Sequence, residues 1–259
     1  MISILLATYN WPQALKLCLE SLATQTEQDF EVIIADDGSA ESTKQMIDAF
    51  KATSPYPITH LWQEDLGFRK TQILNRAIDA AQGDYLIFLD GDCLVQPDFV
   101  ERHRLLAQPG YLVTGSRVLL DEKLTQDLLV WPKWDFARLS AMLPSERLRG
   151  GINKYLPLII KFGNSTLRVY KKFVWRRIKG CNMACWKKDA VAIQGFDESM
   201  TGWGHEDADF VFRLQRHHVK RKSGSWATEV FHLYHPIHDQ SNAAENARRV
   251  REKILAKAI

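Results

Sequence analysis

Four cysteines in 259 residues, no apolar run of bilayer length and no glycine-rich turn after the first apolar segment mark what this chain has little of. Each absence removes a class. Cys18, Cys93, Cys181 and Cys185 are too few to staple a chain this long, so they read as reduced thiols of a cytosolic protein. Cys181 and Cys185 have the spacing of half a zinc site, but no second Cys/His pair lies close to them in sequence. Spanning a bilayer takes roughly 18 apolar residues or more, and Ile2 to Ala7 lacks a basic flank and runs into Asn10, Trp11 and Pro12. The expectation is neither a signal peptide nor a transmembrane helix. A dinucleotide-binding Rossmann site needs a glycine-rich turn, and the residues in its place are A-T-Y-N-W-P. The net charge of +3 is too small to imply nucleic acid, and no segment matches a module that reads it. Acidic residues are also absent from Arg147 to Lys188, a stretch rich in Lys and Arg.

What is present has the order of a mostly parallel α/β sheet, expected as one domain over residues 1–259. Ser3 to Thr8 reads as a strand, and Pro12 opens a helix with Leu15, Leu19 and Leu22 on one side. Glu31 to Ala35 follows as a strand, then a helix over 41–51 and a strand over 58–62. Ile73, Leu74, Ala77, Ile78 and Ala81 form the apolar stripe of a third helix, and Tyr85 to Leu89 a further strand. Ligands of such sheets bind beyond the carboxyl ends of the strands. Thr8-Tyr9-Asn10, Asp36-Asp37 and Asp90-Gly91-Asp92 all fall there.

Asp90 and Asp92 end an apolar strand one residue apart. Two carboxylates so placed repel and lose hydration unless a cation compensates, and hard Mg²⁺ or Mn²⁺ suits them; a solvated acidic turn is the alternative. A second acidic group, Glu206-Asp207-Ala208-Asp209, follows Gly202-Trp203-Gly204-His205 and opens a helical pattern. The helix dipole favours ionised side chains there, which suits a general base and equally suits plain N-capping. Trp203 between two glycines is a platform for the apolar face of a sugar, or a buried indole. His232 and His235, three residues apart, can complete a metal shell, while His238 has no assigned role. In the basic stretch, Lys171, Lys172, Arg176, Arg177 and Lys179 alternate with Phe173, Val174, Trp175 and Ile178. That mixture suits an anionic membrane surface or an anionic acceptor, or a solvated face whose aromatics belong to the core.

Together, I-S-I-L-L-A-T-Y-N-W, Q-D-F-E-V-I-I-A-D-D-G-S, G-F-R-K-T-Q-I-L-N-R-A-I, Y-L-I-F-L-D-G-D-C, and G-C-N-M-A-C-W through G-F-D-E-S-M-T-G-W-G-H-E-D-A-D-F resemble inverting family 2 glycosyltransferases of the GT-A fold. The last block also resembles galactosyltransferases and bacterial chondroitin-type polymerases. The resemblance implies a nucleotide-sugar-binding half over 1–119 and an acceptor-binding half over 120–259 that contains the basic segment 147–188. It implies that Thr8, Tyr9, Asn10, Asp36, Asp37, Arg69, Asp90 and Gly91 bind a nucleotide-sugar, a UDP-sugar by preference. Asp92 would be the direct metal ligand, with Asp90, His232 and His235 around the same Mn²⁺ or Mg²⁺. Asp207, or Glu206 in second place, would be the base, and Trp203, Gly204 and Glu206 would meet the acceptor. His205 departs from the glycine of many relatives. The implied role is transfer to a saccharide or lipid-linked glycan in bacterial surface polysaccharide or lipopolysaccharide synthesis, in the cytoplasm or peripherally on the inner face of the membrane. Two rivals are a nucleotidyltransferase and a non-catalytic sugar- or membrane-binding module.

Overall fold

The computed structural model describes residues 1–236 and 240–256; His238 lies outside them. The chain begins with β1 (Ile2–Thr8), α1 (Pro12–Leu22), β2 (Phe30–Asp36), α2 (Glu41–Lys51), β3 (Ile58–Trp62), α3 (Lys70–Ala80) and β4 (Tyr85–Asp90). It continues with β5 (Cys93–Val95), α4 (Phe99–Leu106), β6 (Tyr111–Thr114), β7 (Ser116–Leu119), α5 (Glu122–Leu129), α6 (Phe136–Arg149) and α7 (Leu156–Ile159). Last come β8 (Asn182–Trp186), α8 (Lys187–Ala192), α9 (Glu206–Arg216), β9 (Lys220–Ser223), β10 (Glu229–His232) and α10 (Ala243–Leu255).

Seven strands form the main sheet in the order β3-β2-β1-β4-β8-β6-β9. Every residue of β1 is buried, as expected of a strand covered on both faces. Its side chains alternate accordingly. Ile4 and Leu6 pack in the cluster that holds α1, while Leu5 and Ala7 pack with Ile73, Leu74 and Ala77 of α3 and Phe210 of α9. Phe196 stacks on Phe210 with ring centroids 4.2 Å apart, and Phe88 of β4 meets both rings edge-on. Burying a side chain such as Phe210 contributes about 2–3 kcal/mol, enough to fix where α9 starts.

Because β1, β2 and β4 are parallel, their carboxyl ends share one rim. β8 runs antiparallel to β4, with Asn182 opposite Leu89, so Gly180 and Cys181 arrive at that same rim. A second sheet, β5-β10-β7, stands beside it. Its antiparallel register sets His232 against Cys93, next to Asp92.

The basic segment contains α7 and one turn of 3₁₀ helix at Thr166–Arg168 before β8. Here the aromatics and the cations that alternate in sequence part company. Phe173, Trp175 and Ile178 turn inward onto the α9 side of the core, leaving Lys171, Lys172, Arg176, Arg177 and Lys179 exposed without them. The apolar side chains exposed in this region are Leu148, Leu156, Ile159, Ile160, Phe162 and Leu167. Among the described residues, no helix is long and apolar enough to cross a membrane.

Candidate active site

The end of β1 shapes one side of the rim. Thr8 is buried, whereas Tyr9 is 50% exposed and donates its hydroxyl to Asp65 Oδ2 at 2.9 Å. That bond, with burial second, raises the Tyr9 hydroxyl pKa. Asn10 takes a positive φ of 47°, its backbone N donates to Ser39 Oγ, and its Oδ1 accepts from Ala40 N. The two aspartates after β2 differ in task. Asp36 is fully buried, accepts from Ser39 N and lies 3.0 Å from His60 Nε2, so it holds the turn. Asp37 accepts from Gln63 Nε2 at 2.5 Å and Arg69 N at 2.8 Å. Burial raises the Asp37 pKa against the pull of those donors. Arg69 contributes through its backbone; its guanidinium reaches Gln72 Oε1 and the carbonyl of Glu64 and lines a separate cavity.

At the end of β4, Gly91 N donates to Ala7 O at 2.7 Å, and a Cβ there would lie 3.1 Å from that oxygen. Glycine thus lets β4 close on β1 and turns Asp92 toward the small sheet. Asp92 Oδ2 lies 3.3 Å from His235 Nε2 and 3.8 Å from His232 Nε2. Ligand atoms of all three residues fall within 4.8 Å of one another. The tautomers are informative. His232 Nδ1 lies 2.9 Å from Leu233 O and His235 Nδ1 2.8 Å from Pro236 O, so each Nδ1 donates to a backbone carbonyl and each Nε2 faces the carboxylate. Burial lowers the His232 pKa, which keeps that imidazole neutral. One carboxylate and two imidazole nitrogens converging at this spacing form a donor set that fits a divalent metal.

Asp90 is turned elsewhere. Its Oδ1 is 2.5 Å from Lys70 Nζ, at the start of α3. Burial alone would lower the Lys70 pKa, but the Asp90 and Glu206 carboxylates hold it above its ordinary value. Lys70 therefore ties the strand-end carboxylate to the helix-start pair. Sequence reasoning missed it, although a cation at a helix N-terminus opposes the dipole and is a signal of another duty.

Glu206 and Asp207 occupy the first turn of α9, as the helical pattern predicts. Asp207 Oδ2 accepts from Gly180 N at 2.8 Å and Oδ1 from Ala208 N at 2.7 Å, which fixes its orientation. Glu206 has a buried Oε2 without a hydrogen-bond partner. Burial, then the Asp207 charge, push its carboxyl up to about 7, with Lys70 pulling the other way. Asp209 is buried between Arg213 and Lys253 and serves the fold. Trp203, 38% exposed, sits between Gly202 and Gly204, both at positive φ. α10 steadies this loop through Asn246 Nδ2 to Gly204 O at 3.0 Å. His205 also has positive φ, 70°, and its ring meets Trp175 edge-on at 5.1 Å.

The zinc pairing of Cys181 with Cys185 does not form. Cys185 packs in the other apolar cluster, and the thiols near His232 are those of Cys93 and Cys181.

The family model for Glycosyl transferase family 2 matches residues 3–178. The chain belongs to glycosyl transferase family 2. A further model, the N-terminal domain of galactosyltransferase, matches residues 163–236. Among relatives of this family 2 chain, validoxylamine A glucosyltransferase of Streptomyces hygroscopicus subsp. jinggangensis (strain 5008) is 28% identical over 241 residues, covering 90% of this chain and 56% of that one. Chondroitin synthase of Escherichia coli is 30% identical over 223 residues, covering 83% and 32%. This family 2 chain therefore spans about half and about a third of those relatives' lengths. Among solved structures, S. aureus TarS in complex with UDP-GlcNAc aligns at TM-score 0.68 and 14% identity over 98% of this chain and 66% of that one. GalNAc-T7 with UDP, GalNAc and Mn²⁺ aligns at 0.65 and 15% over 97% and 47%. The shared architecture is the GT-A fold of glycosyltransferases.

Proposed function

We propose that this chain is a metal-dependent inverting glycosyltransferase that moves a sugar from a UDP-sugar to a hydroxyl of a saccharide or lipid-linked acceptor. The carrying observation is the convergence of Asp92, His232 and His235 on a rim that Lys70 joins to Glu206, the neighbour of Asp207. In this reading one domain divides its labour, residues 1–119 for the donor and 120–259 for the acceptor. Asp37, Tyr9 and Asn10 lie on the nucleotide side, with Thr8, Asp36, Gly91 and Arg69 shaping the backbone behind them.

Asp92, His232 and His235 would hold the metal, and two imidazoles favour Mn²⁺ over the more strictly oxygen-bound Mg²⁺. When bound, it supplies Lewis-acid neutralisation of charge on the leaving diphosphate. Asp207, held by two N–H donors, takes the proton from the acceptor hydroxyl. That oxygen attacks the anomeric carbon as the bond to the diphosphate breaks on the opposite side, so the configuration inverts. Lys70 keeps Asp90 in place beside the departing group. Glu206 hydrogen-bonds the acceptor through the oxygen left unpartnered here, and Trp203 offers a face to the sugar ring. The solved relatives that carry UDP-GlcNAc, or UDP with Mn²⁺, support the choice of donor and metal.

The test is a screen of UDP-sugars for metal-dependent turnover. Release of UDP is expected; release of pyrophosphate would indicate a nucleotidyltransferase, and binding without turnover a non-catalytic module. The exposed Leu156, Ile159, Ile160 and Phe162 beside the basic segment support peripheral contact with an anionic inner membrane face during surface polysaccharide synthesis. Flotation with anionic but not neutral liposomes is the expected outcome.

A further inference from the structure

Beside the rim lies a cavity of about 830 Å³ whose lining includes Arg117, Arg147, Lys154, Arg177, Lys179 and Glu229. Five cations face one carboxylate, Glu229, which has one oxygen on a backbone N–H and a buried Oε2 with no hydrogen-bond partner. Glu229, 1% exposed, accepts from Trp226 N at 2.7 Å and lies 4.0 Å from Lys161 Nζ, outside the group of five. Among the described residues, none of the five cations forms an ion pair. Lys154 hydrogen-bonds only the Ser116 hydroxyl, and Arg117 Nη1 lies 3.9 Å from Cys181 Sγ.

The crowding shows in the surroundings of Lys154 and Arg177. Burial lowers the Lys154 pKa, and Arg117 and Arg177 lower it further against the opposing pull of Glu229. Arg177 holds a positive φ of 66°, a conformation that strains a residue with a Cβ. Uncompensated positive charge in a concavity is destabilising to the empty protein and is relieved by an anion.

The cavity also adjoins the chemistry. Lys179 precedes Gly180, whose N–H holds Asp207, and Cys181 beside Arg117 lies within 4.8 Å of His232. A volume of this size suits a discrete ligand of a few rings rather than a bilayer plane.

We infer that this cavity seats the acceptor and that the acceptor carries an oxyanion, phosphoryl or carboxylate, on or next to the sugar whose hydroxyl is glycosylated. The inference rests on the transferase reading above and deepens it by naming the acceptor's charge. Arginine pairs in two-point fashion with either oxyanion, and the neighbouring lysines add charge without fixing direction.

The test is calorimetry on the full chain with the donor site first saturated with UDP and Mn²⁺. The probes are glucose 1-phosphate, a disaccharide ending in glucuronate, and neutral cellobiose. At least one anionic probe is expected to bind ten times or more tightly than cellobiose, and whichever of the two binds better identifies the oxyanion. Raising the salt weakens that binding, because these side chains are partly exposed. The double variant Arg147→Gln/Arg177→Gln, exposed at both positions, weakens it by at least tenfold, as does Lys179→Glu in a separate protein. Cellobiose binding as well as the anions, no binding of either anion, or anion binding that ignores the substitutions would each overturn the inference. Vesicles of anionic phospholipid that bind through Arg147 and Arg177, while both sugar anions do not, would overturn it in favour of a membrane. Failure of UDP to bind in the first step strikes the donor reading alone, since the anionic probes can then be titrated without it.

Discussion

The two carboxylate pairs of the site, Asp90 with Asp92 and Glu206 with Asp207, solve one electrostatic problem in different ways. At the strand end the repulsion is divided: Asp90 is matched by Lys70, and Asp92 faces the Nε2 edges of two imidazoles. At the helix start Asp207 takes two backbone N–H donors, and Glu206 is left with a buried bare oxygen and a carboxyl raised to about 7. A lysine and two imidazoles face the first pair. The second pair is relieved by a proton, which leaves it able to take part in proton transfer near neutral pH.

The comparison breaks most sharply at Asp92. Asp92→Ala should abolish Mn²⁺ binding in titration and lower turnover by more than about 10³-fold, several kcal/mol of barrier; a chelator should reproduce the loss in the unaltered chain. Turnover that survives either would show that the first pair does not depend on a cation. Asp207→Asn should keep UDP and Mn²⁺ binding while turnover falls about 10²–10⁴-fold. If Glu206→Gln instead produces the larger loss, with Asp207→Asn near the unaltered rate, the roles within the second pair are exchanged.

Stability separates the pairs in another way. Glu206 has a folded pKa above its ordinary 4.5, so the folded state binds more protons and loses stability as pH rises from there through about 7. Glu206→Gln removes that penalty. At pH 8 the variant should be more stable in urea unfolding by on the order of 2 kcal/mol, with no gain at pH 4; an equal gain at both pH values would remove charge burial as the cause. The smallest effect is expected at His205. Its φ of 70° suits glycine, so His205→Gly trades backbone strain against the lost contact with Trp175 and should shift stability by less than about 1 kcal/mol.

The first ninety residues are legible in sequence because their strands are covered on both faces and their helices carry one apolar stripe. Ser3 to Thr8 and Tyr85 to Leu89 lie inside β1 and β4. The placement of the acidic groups beyond a strand end and in a helix's first turn was legible for the same reason. The small sheet was not. β5 has three residues and β10 four, too short to show a period, and their pairing depends on contacts distant in sequence. Lys70 was hidden by its surroundings, since a lysine beside an arginine at a helix start resembles any solvated basic pair until Asp90 and Glu206 are seen around it. In the basic segment, composition could not tell inward aromatics from outward ones, because without regular structure no face is defined.

The antiparallel register that seats His232 opposite Cys93 also bears on the order of assembly during translation. Asp92 leaves the ribosome early, but its imidazole partners follow only after most of the chain has been made. A nascent chain halted before β10 would carry the carboxylate of Asp92 without either of the imidazoles that face it in the finished fold.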